Sequence, residues 1–339
     1  MNTVEGLDLG ALTRFFAESV PGFRGELHAE LLQGGRSNLT YRLTDGQSSW
    51  VLRRPPLGGL TPSAHDMARE YRVVSALAGS GVPVARAVAF GDARVIGVPF
   101  ALVEYVDGVV IRTEAQLGAW PDQMVTDCAY ALVDVLARLH DVEPAAVGLD
   151  GFGRPERYLA RQVARWRDQW RRVCTRPLPD VEALHALLAQ ACPPESGASI
   201  VHGDFRIDNA ILDPADPSQV RALVDWEMAT LGDPLADLGL HLVYTDPVFA
   251  PVLAGGAAST SPRLPAPADL AERYATTSGR SLDNLGYYIA LGYFKIAVIA
   301  EGIHARHRQG LTVGSGFETV GDAPAPLAAA GLLALRRNL

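Results

Sequence analysis

One short polar run and the hairpin that follows it constrain this chain more than any other feature. The run His202-Gly-Asp204-Phe-Arg206-Ile-Asp-Asn209 is followed, sixteen residues after Asn209, by Asp225-Trp-Glu. Between them, Ala210-Ile-Leu-Asp213 reads as a short strand, Pro214-Ala-Asp-Pro-Ser as a turn, and Val220-Arg-Ala-Leu-Val224 as the returning strand. A hairpin brings its two ends together, so Asn209 and Asp225 are expected side by side. Two hard oxygen donors, with waters and phosphates completing the shell, are how magnesium is usually held. The plainer alternative is that Asp204 and Asn209 cap a turn, a position both residue types favour. That alternative leaves the second carboxylate after the hairpin unexplained.

At 339 residues the chain is long enough for one large core or, more naturally, two lobes. A net charge of -8 argues against a general nucleic-acid binder, whose footprint is a basic excess. No apolar run approaches the ~20 residues that cross a bilayer, so no membrane partner is expected. The first twenty residues carry Glu5, Asp8 and Glu18 without a basic start, unlike a signal peptide. Cys128, Cys174 and Cys192 are odd in number and lack metal-type spacing, which predicts reduced thiols and a cytoplasmic setting. Of 30 basic residues one alone, Lys295, is lysine, and it is not in a Gly-Lys-Ser/Thr context. A Walker-type phosphate loop is therefore excluded.

The pattern changes character along the chain. Residues 8–20 read as a helix with Leu9, Leu12, Phe15 and Phe16 on one face. Strands are predicted over 27–33, 39–43, 50–53, 88–90 and 99–105, with a hairpin turn at Thr44-Asp-Gly-Gln and a helix over 63–78. Beyond Asp107-Gly108 the periodicity is helical, over about 122–141, 155–174, 180–190, 234–243, 267–278, 283–308 and 324–337. The small-residue stretch 250–268 reads as a surface loop or insertion. A strand-rich first third joined near Glu104–Gly108 to a helix-rich remainder is an α+β, two-lobe plan, with lobes at 1–105 and 106–339.

Together the motifs resemble the aminoglycoside phosphotransferase and choline kinase superfamily, from about Leu31 to Arg306. Their sharpest pieces are Val201–Asn209, Leu223–Leu238 and Leu136-Ala-Arg-Leu-His140. Within that superfamily, Trp50–Pro56 and Phe294–Arg306 look most like the kinase-like domains associated with acyl-CoA dehydrogenases. The resemblance implies a bilobal protein-kinase-like fold, with an antiparallel-sheet lobe that grips nucleotide and a larger helical lobe for catalysis and acceptor. It implies ATP as donor, with GTP as an alternative, Mg2+ as cofactor, and a small-molecule alcohol as acceptor. Asp204 is the expected catalytic carboxylate, and Arg206 a cation that neutralises the transferring phosphoryl group. Asn209 and Asp225 are the expected metal ligands, while His202 and Asp237 brace the catalytic loop and Asp233 caps the helix that begins at Pro234.

On the nucleotide side, Ser37 and Asn38 in a glycine-bearing turn, Arg53 with Glu70 as its ionic partner, and the backbone of Glu104 and Val106 are the expected contacts. Arg53 stands where the superfamily usually has lysine, and offers a planar fork in place of a point charge. Glu301, His304 and His307 share a helical face and read as solvated, not as a metal site. Arg154–Arg176 holds eight arginines against Glu156 and Asp168, a surplus suited to an acceptor with phosphate or carboxylate, and Trp166 and Trp170 beside them read as core. A hydroxyacyl-CoA or other anionic alcohol is the leading acceptor. The alternatives are an aminoglycoside, choline or homoserine kinase, a nucleotide-binding pseudokinase, and a metal-dependent hydrolase.

Overall fold

A computed structural model describes residues 4–32, 38–57, 66–253, 257–312 and 316–337. The chain forms two compact units. The first comprises Met1–Asp107 with Arg221–Ala229, the second Gly108–Val220 with Thr230–Leu339.

In the first unit, helix α1 (Leu9–Ser19) starts where the Asp8 carboxylate accepts the Ala11 N–H at 2.9 Å. Five strands, β1 (His28–Leu31), β2 (Leu39–Thr44), β3 (Ser49–Arg54), β4 (Ala87–Gly91) and β5 (Phe100–Glu104), form an antiparallel sheet in the order β1-β2-β3-β5-β4. The two-residue period of a strand sends alternate side chains to opposite faces. Trp50 and Leu52 of β3 thus join Leu12, Phe16, Leu43 and Phe100 in the core, with the Phe16 and Trp50 rings edge to face at 5.1 Å. Arg53, one step out of phase, is placed on the other face. There helix α2 (Met67–Leu77), capped by Asp66, packs against β4 and β5. Gly46, at φ +89°, closes the predicted β2–β3 turn in a conformation that glycine adopts without strain. A short helix, α3 (Ala93–Ile96), precedes β5.

The second unit is mainly helical: α4 (Glu114–Leu117), α5 (Asp122–Asp141), α6 (Tyr158–Val173), α7 (Pro179–Gln190), α8 (Pro234–Tyr244), α9 (Pro267–Ser278), α10 (Leu285–Arg308) and α11 (Pro324–Arg337). The buried helix α10 lies against α6, α7, α8 and α11. Its crossing with α8 is close because Gly239 has no side chain: a Cβ there would stand 2.8 Å from the Tyr288 carbonyl oxygen. Strand β6 (Ser199–Val201) enters the polar run at His202. Farther along, β7 (Ala210–Leu212) leads into a turn closed by the Asp213 N–H on the Gln219 carbonyl (3.0 Å), and β8 (Val220–Leu223) follows. Strand β9 (Thr230–Gly232) pairs antiparallel with β6 and delivers the chain to Asp233, the N-cap of α8.

Two expectations need correction here. Among the described residues of 250–268, Val252, Ala257, Ala258, Ser259 and Ser261 are buried, not on a surface loop, and Arg263 reaches the carbonyls of Leu117 and Trp120. Small residues pack closely, which the composition alone disguised. Also, α10 is by length and composition apolar enough to cross a membrane, an 18-residue stretch of it having mean hydropathy 1.2. Yet 72% of that stretch is buried among its neighbours, which is how a core helix satisfies the same composition.

Candidate active site

The polar run forms a tight loop in the second unit. Gly203, at φ +81°, supplies a left-handed turn ahead of Asp204. Asp237, on the first turn of α8, accepts the His202 N–H at 2.6 Å and the Gly203 N–H at 2.8 Å. His202 is fully buried and accepts the Asp204 N–H on Nδ1 at 3.3 Å, while His241 Nδ1 meets the Phe205 carbonyl at 3.1 Å. These histidines, like Asp237, are buried and hold the loop through its backbone.

The Asp204 side chain, 24% exposed, is gripped at both oxygens. Asn209 Nδ2 donates to Oδ2 at 3.0 Å and to the Asp204 carbonyl at 2.8 Å, and the Tyr244 hydroxyl donates to Oδ1 at 2.5 Å. Arg206 Nε lies 3.5 Å from Oδ1, and its Nη2 pairs with Asp208 at 3.1 Å. Burial pushes the Asp204 carboxyl up, but the Arg206 and Lys295 charges, the Tyr244 hydroxyl and His202 together hold it below the ordinary carboxylate range. It is therefore ionised at neutral pH. Burial, with the Asp204 charge, holds the Tyr244 phenol well above its ordinary value, so it remains a donor. Lys295 Nζ donates to the Gly203 carbonyl at 2.6 Å and faces the Trp166 ring at 5.6 Å. Tyr244 and Lys295 were not singled out from sequence for this loop. Tyr244 stands seven residues after Asp237 on one helical face, just past the end of the helix read from sequence over 234–243.

In the first unit Arg53 joins two carboxylates. Its Nε stands 2.9 Å from Glu70 and its Nη2 donates to Asp225 at 2.8 Å. Burial opposes the Arg53 charge, but Glu70 and Asp225 outweigh it and keep the guanidinium firmly protonated, while burial raises the Glu70 carboxyl despite Arg53. Asp225 adopts a left-handed backbone at φ +67°, which Asp tolerates better than most residues. Asn38 donates to Glu227 at 3.1 Å. Ser37 lies outside the described residues. The Glu104 N–H donates to the Arg86 carbonyl at 2.9 Å, so of the expected hinge contacts this group is already committed, and the Glu104 carboxylate pairs with Arg86.

The residues expected to hold magnesium have suitable donors. The Asn209 amide nitrogen is committed to Asp204, which leaves its carbonyl oxygen as the end open to a cation, and Asp225 is a partly exposed carboxylate. Asn209 belongs to the second unit and Asp225 to the first. Elsewhere, Glu301 is fully buried and does not lie on a solvated face. It accepts the Thr175 N–H and hydroxyl and pairs with Arg176, anchoring the end of α6 to α10. The arginine surplus also shrinks: Arg167 pairs with Glu182 and Arg176 with Glu301, both partners lying outside the segment. Trp166 and Trp170 are buried, as core residues should be.

Residues 28–273 match the model of the phosphotransferase enzyme family. Acyl-CoA dehydrogenase family member 11 of Gallus gallus is 34% identical over 337 residues, covering 96% of this chain and 43% of that protein. Family member 10 of Mus musculus is 37% identical over 289 residues, covering 83% of this chain and 27% of that protein. The chain thus spans less than half the length of the curated relatives it matches. A crystal structure from Ralstonia eutropha JMP134, provisionally described as an aminoglycoside phosphotransferase, superposes with TM-score 0.84 at 32% identity, covering 98% of this chain and 99% of that one. A mutant of aminoglycoside phosphotransferase APH(4)-Ia, in ternary complex with AMP-PNP and hygromycin B, shares the fold with TM-score 0.62 at 16% identity, covering 96% of this chain and 98% of its own. The family and the kinship to acyl-CoA dehydrogenase-associated domains agree with the resemblance carried by the motifs.

Proposed function

We propose that this chain, which belongs to the phosphotransferase enzyme family, moves the γ-phosphoryl group of ATP to a hydroxyl of a small molecule. The observation that carries the reading is the Asp204 carboxylate, ionised and held at both oxygens on a braced loop. Phosphoryl transfer leaves little covalent work for a protein and depends on positioning and charge. The acceptor oxygen bonds to the γ-phosphorus as the bond to the departing ADP oxygen breaks. Asp204 orients the acceptor O–H and takes its proton. A carboxyl below the ordinary range is a weak base, so orientation is the larger part of its contribution. Arg206 offers positive charge beside it. Magnesium, when bound through Asn209 and Asp225, would neutralise phosphate charge. Arg53, set by Glu70, would face the nucleotide phosphates, with Asn38, Ser37 and the Glu104–Val106 backbone as further contacts.

For the acceptor, kinship to acyl-CoA dehydrogenase family members favours a hydroxyacyl-CoA or similar anionic alcohol over a polycationic aminoglycoside. The remaining arginines of α6 suit the same polarity. The test is ADP formation across hydroxyacyl-CoA thioesters, choline, homoserine and kanamycin. The expected result is fastest turnover with an anionic alcohol, and faster turnover with kanamycin than with any such alcohol overturns the acceptor. Asn209→Ala and Asp225→Ala are each expected to weaken magnesium-dependent nucleotide binding. Unchanged magnesium dependence in both would remove them as ligands.

A further inference from the structure

We infer that Tyr244 is the positioning residue that aims the catalytic carboxylate, an inference that rests on the assignment of transfer to Asp204. An aspartate side chain turns easily about its last torsion, where the energy wells are broad. Asn209 holds one oxygen of Asp204; a single donor still allows the carboxylate plane to swing about it. The Tyr244 hydroxyl takes the other oxygen at 2.5 Å, and the two donors together fix the plane. The lone pairs left over then point in one direction, which is what an incoming acceptor hydroxyl needs.

The same ring serves the neighbouring cation. Arg206 lies over the Tyr244 ring, its guanidinium carbon 5.4 Å from the centroid, and the ring in turn packs on Phe249 at 4.9 Å. One tyrosine thus touches both groups assigned to the chemistry. Its place in α8 explains how. Asp237, His241 and Tyr244 stand at i, i+4 and i+7, a single helical face. The first two hold the loop backbone, at the His202 and Gly203 N–H groups and the Phe205 carbonyl, and the third holds the loop's reactive side chain. A phenylalanine would fill the same space equally well. The hydroxyl is what distinguishes a positioning residue from a core aromatic.

Tyr244→Phe and Tyr244→Leu in the full chain separate the two functions of the ring. Tyr244→Phe keeps the seat of Arg206 and removes the grip on Asp204. Its kcat is expected to fall about tenfold or more, the usual scale for a hydrogen bond to a charged group, with nucleotide Kd and acceptor KM within about twofold of wild type. Tyr244→Leu should fall further. A kcat within twofold of wild type in Tyr244→Phe, per folded molecule, marks a core aromatic and overturns the inference. Failure of the functional reading is seen separately, as no transfer by wild type to any alcohol. In that event a downfield hydroxyl proton in the wild-type NMR spectrum decides the question. Its loss in both Tyr244→Phe and Asp204→Ala upholds the grip on Asp204, and its absence from wild type or persistence in either variant overturns it.

Discussion

Arg53 shows how much one residue can carry. An arginine can reach two carboxylates with different nitrogens, and here it engages Glu70 and Asp225. Removing one partner leaves a largely buried guanidinium half compensated. Glu70→Gln is therefore expected to cost about 3 kcal/mol in urea denaturation, the low end for breaking a buried pair. A loss under about 1 kcal/mol would mean that Asp225 and solvent suffice. His241 contributes to the pH dependence of stability. Burial lowers its pKa, against the smaller opposing effects of the Phe205 carbonyl and Asp237. An unfolded histidine titrates near ~6.5, so below that pH the unfolded chain binds the extra proton and stability falls as pH drops. His241→Asn should flatten the fall in Tm between about pH 7 and pH 5. His185, also lowered chiefly by burial, should leave part of it in place. An unchanged slope would contradict the assignment. Asp204, Asn209 and Asp225 were singled out in the sequence by their spacing and Arg53 by resemblance, and the structure sets Asn209 on Asp204 and Arg53 on Asp225. Tyr244 was hidden because an aromatic near a helix end reads first as core.

At the scale of elements, periodicity was a good guide where helices are long. The helix predicted over 122–141 is α5 with the same bounds, and 267–278 is α9. Strands β6 and β9, of three residues each, carry too few positions to show alternation, and they were missed. Yet that pair sets the polar loop beside α8. The Arg157 and Asn284 left-handed residues shorten the helices predicted from 155 and 283, since a backbone at positive φ stands outside the helix it precedes. Helix α8 ties packing to chemistry. Gly239 allows the close crossing with α10, and its neighbours Asp237 and His241 hold the loop. Gly239→Ala must push against the backbone of Tyr288 and is expected to cost about 1–3 kcal/mol. Because α8 would shift with it, phosphoryl transfer should fall as well. Full activity with unchanged stability would show that the crossing yields without disturbing the loop.

For the whole molecule, a two-lobe plan was readable from the change in periodicity near residue 107. The placing of Arg221–Ala229 was not, because that segment joins the first unit through backbone bonds such as Leu223 N–H to the Pro83 carbonyl. No local pattern announces a pairing between positions so far apart. One consequence is that the unit holding Arg53 and Glu70 also holds Asp225, while Asp204 and Asn209 belong to the other. The roles proposed above draw on both units: Arg53 and Asp225 come from one, and Asp204, Arg206 and Asn209 from the other. The most direct test is the rate of γ-phosphoryl transfer from ATP to the best alcohol acceptor, wild type against Asp204→Ala. We predict a loss of at least ~10²-fold in Asp204→Ala, with nucleotide affinity unchanged. Transfer within about tenfold of wild type would contradict the account.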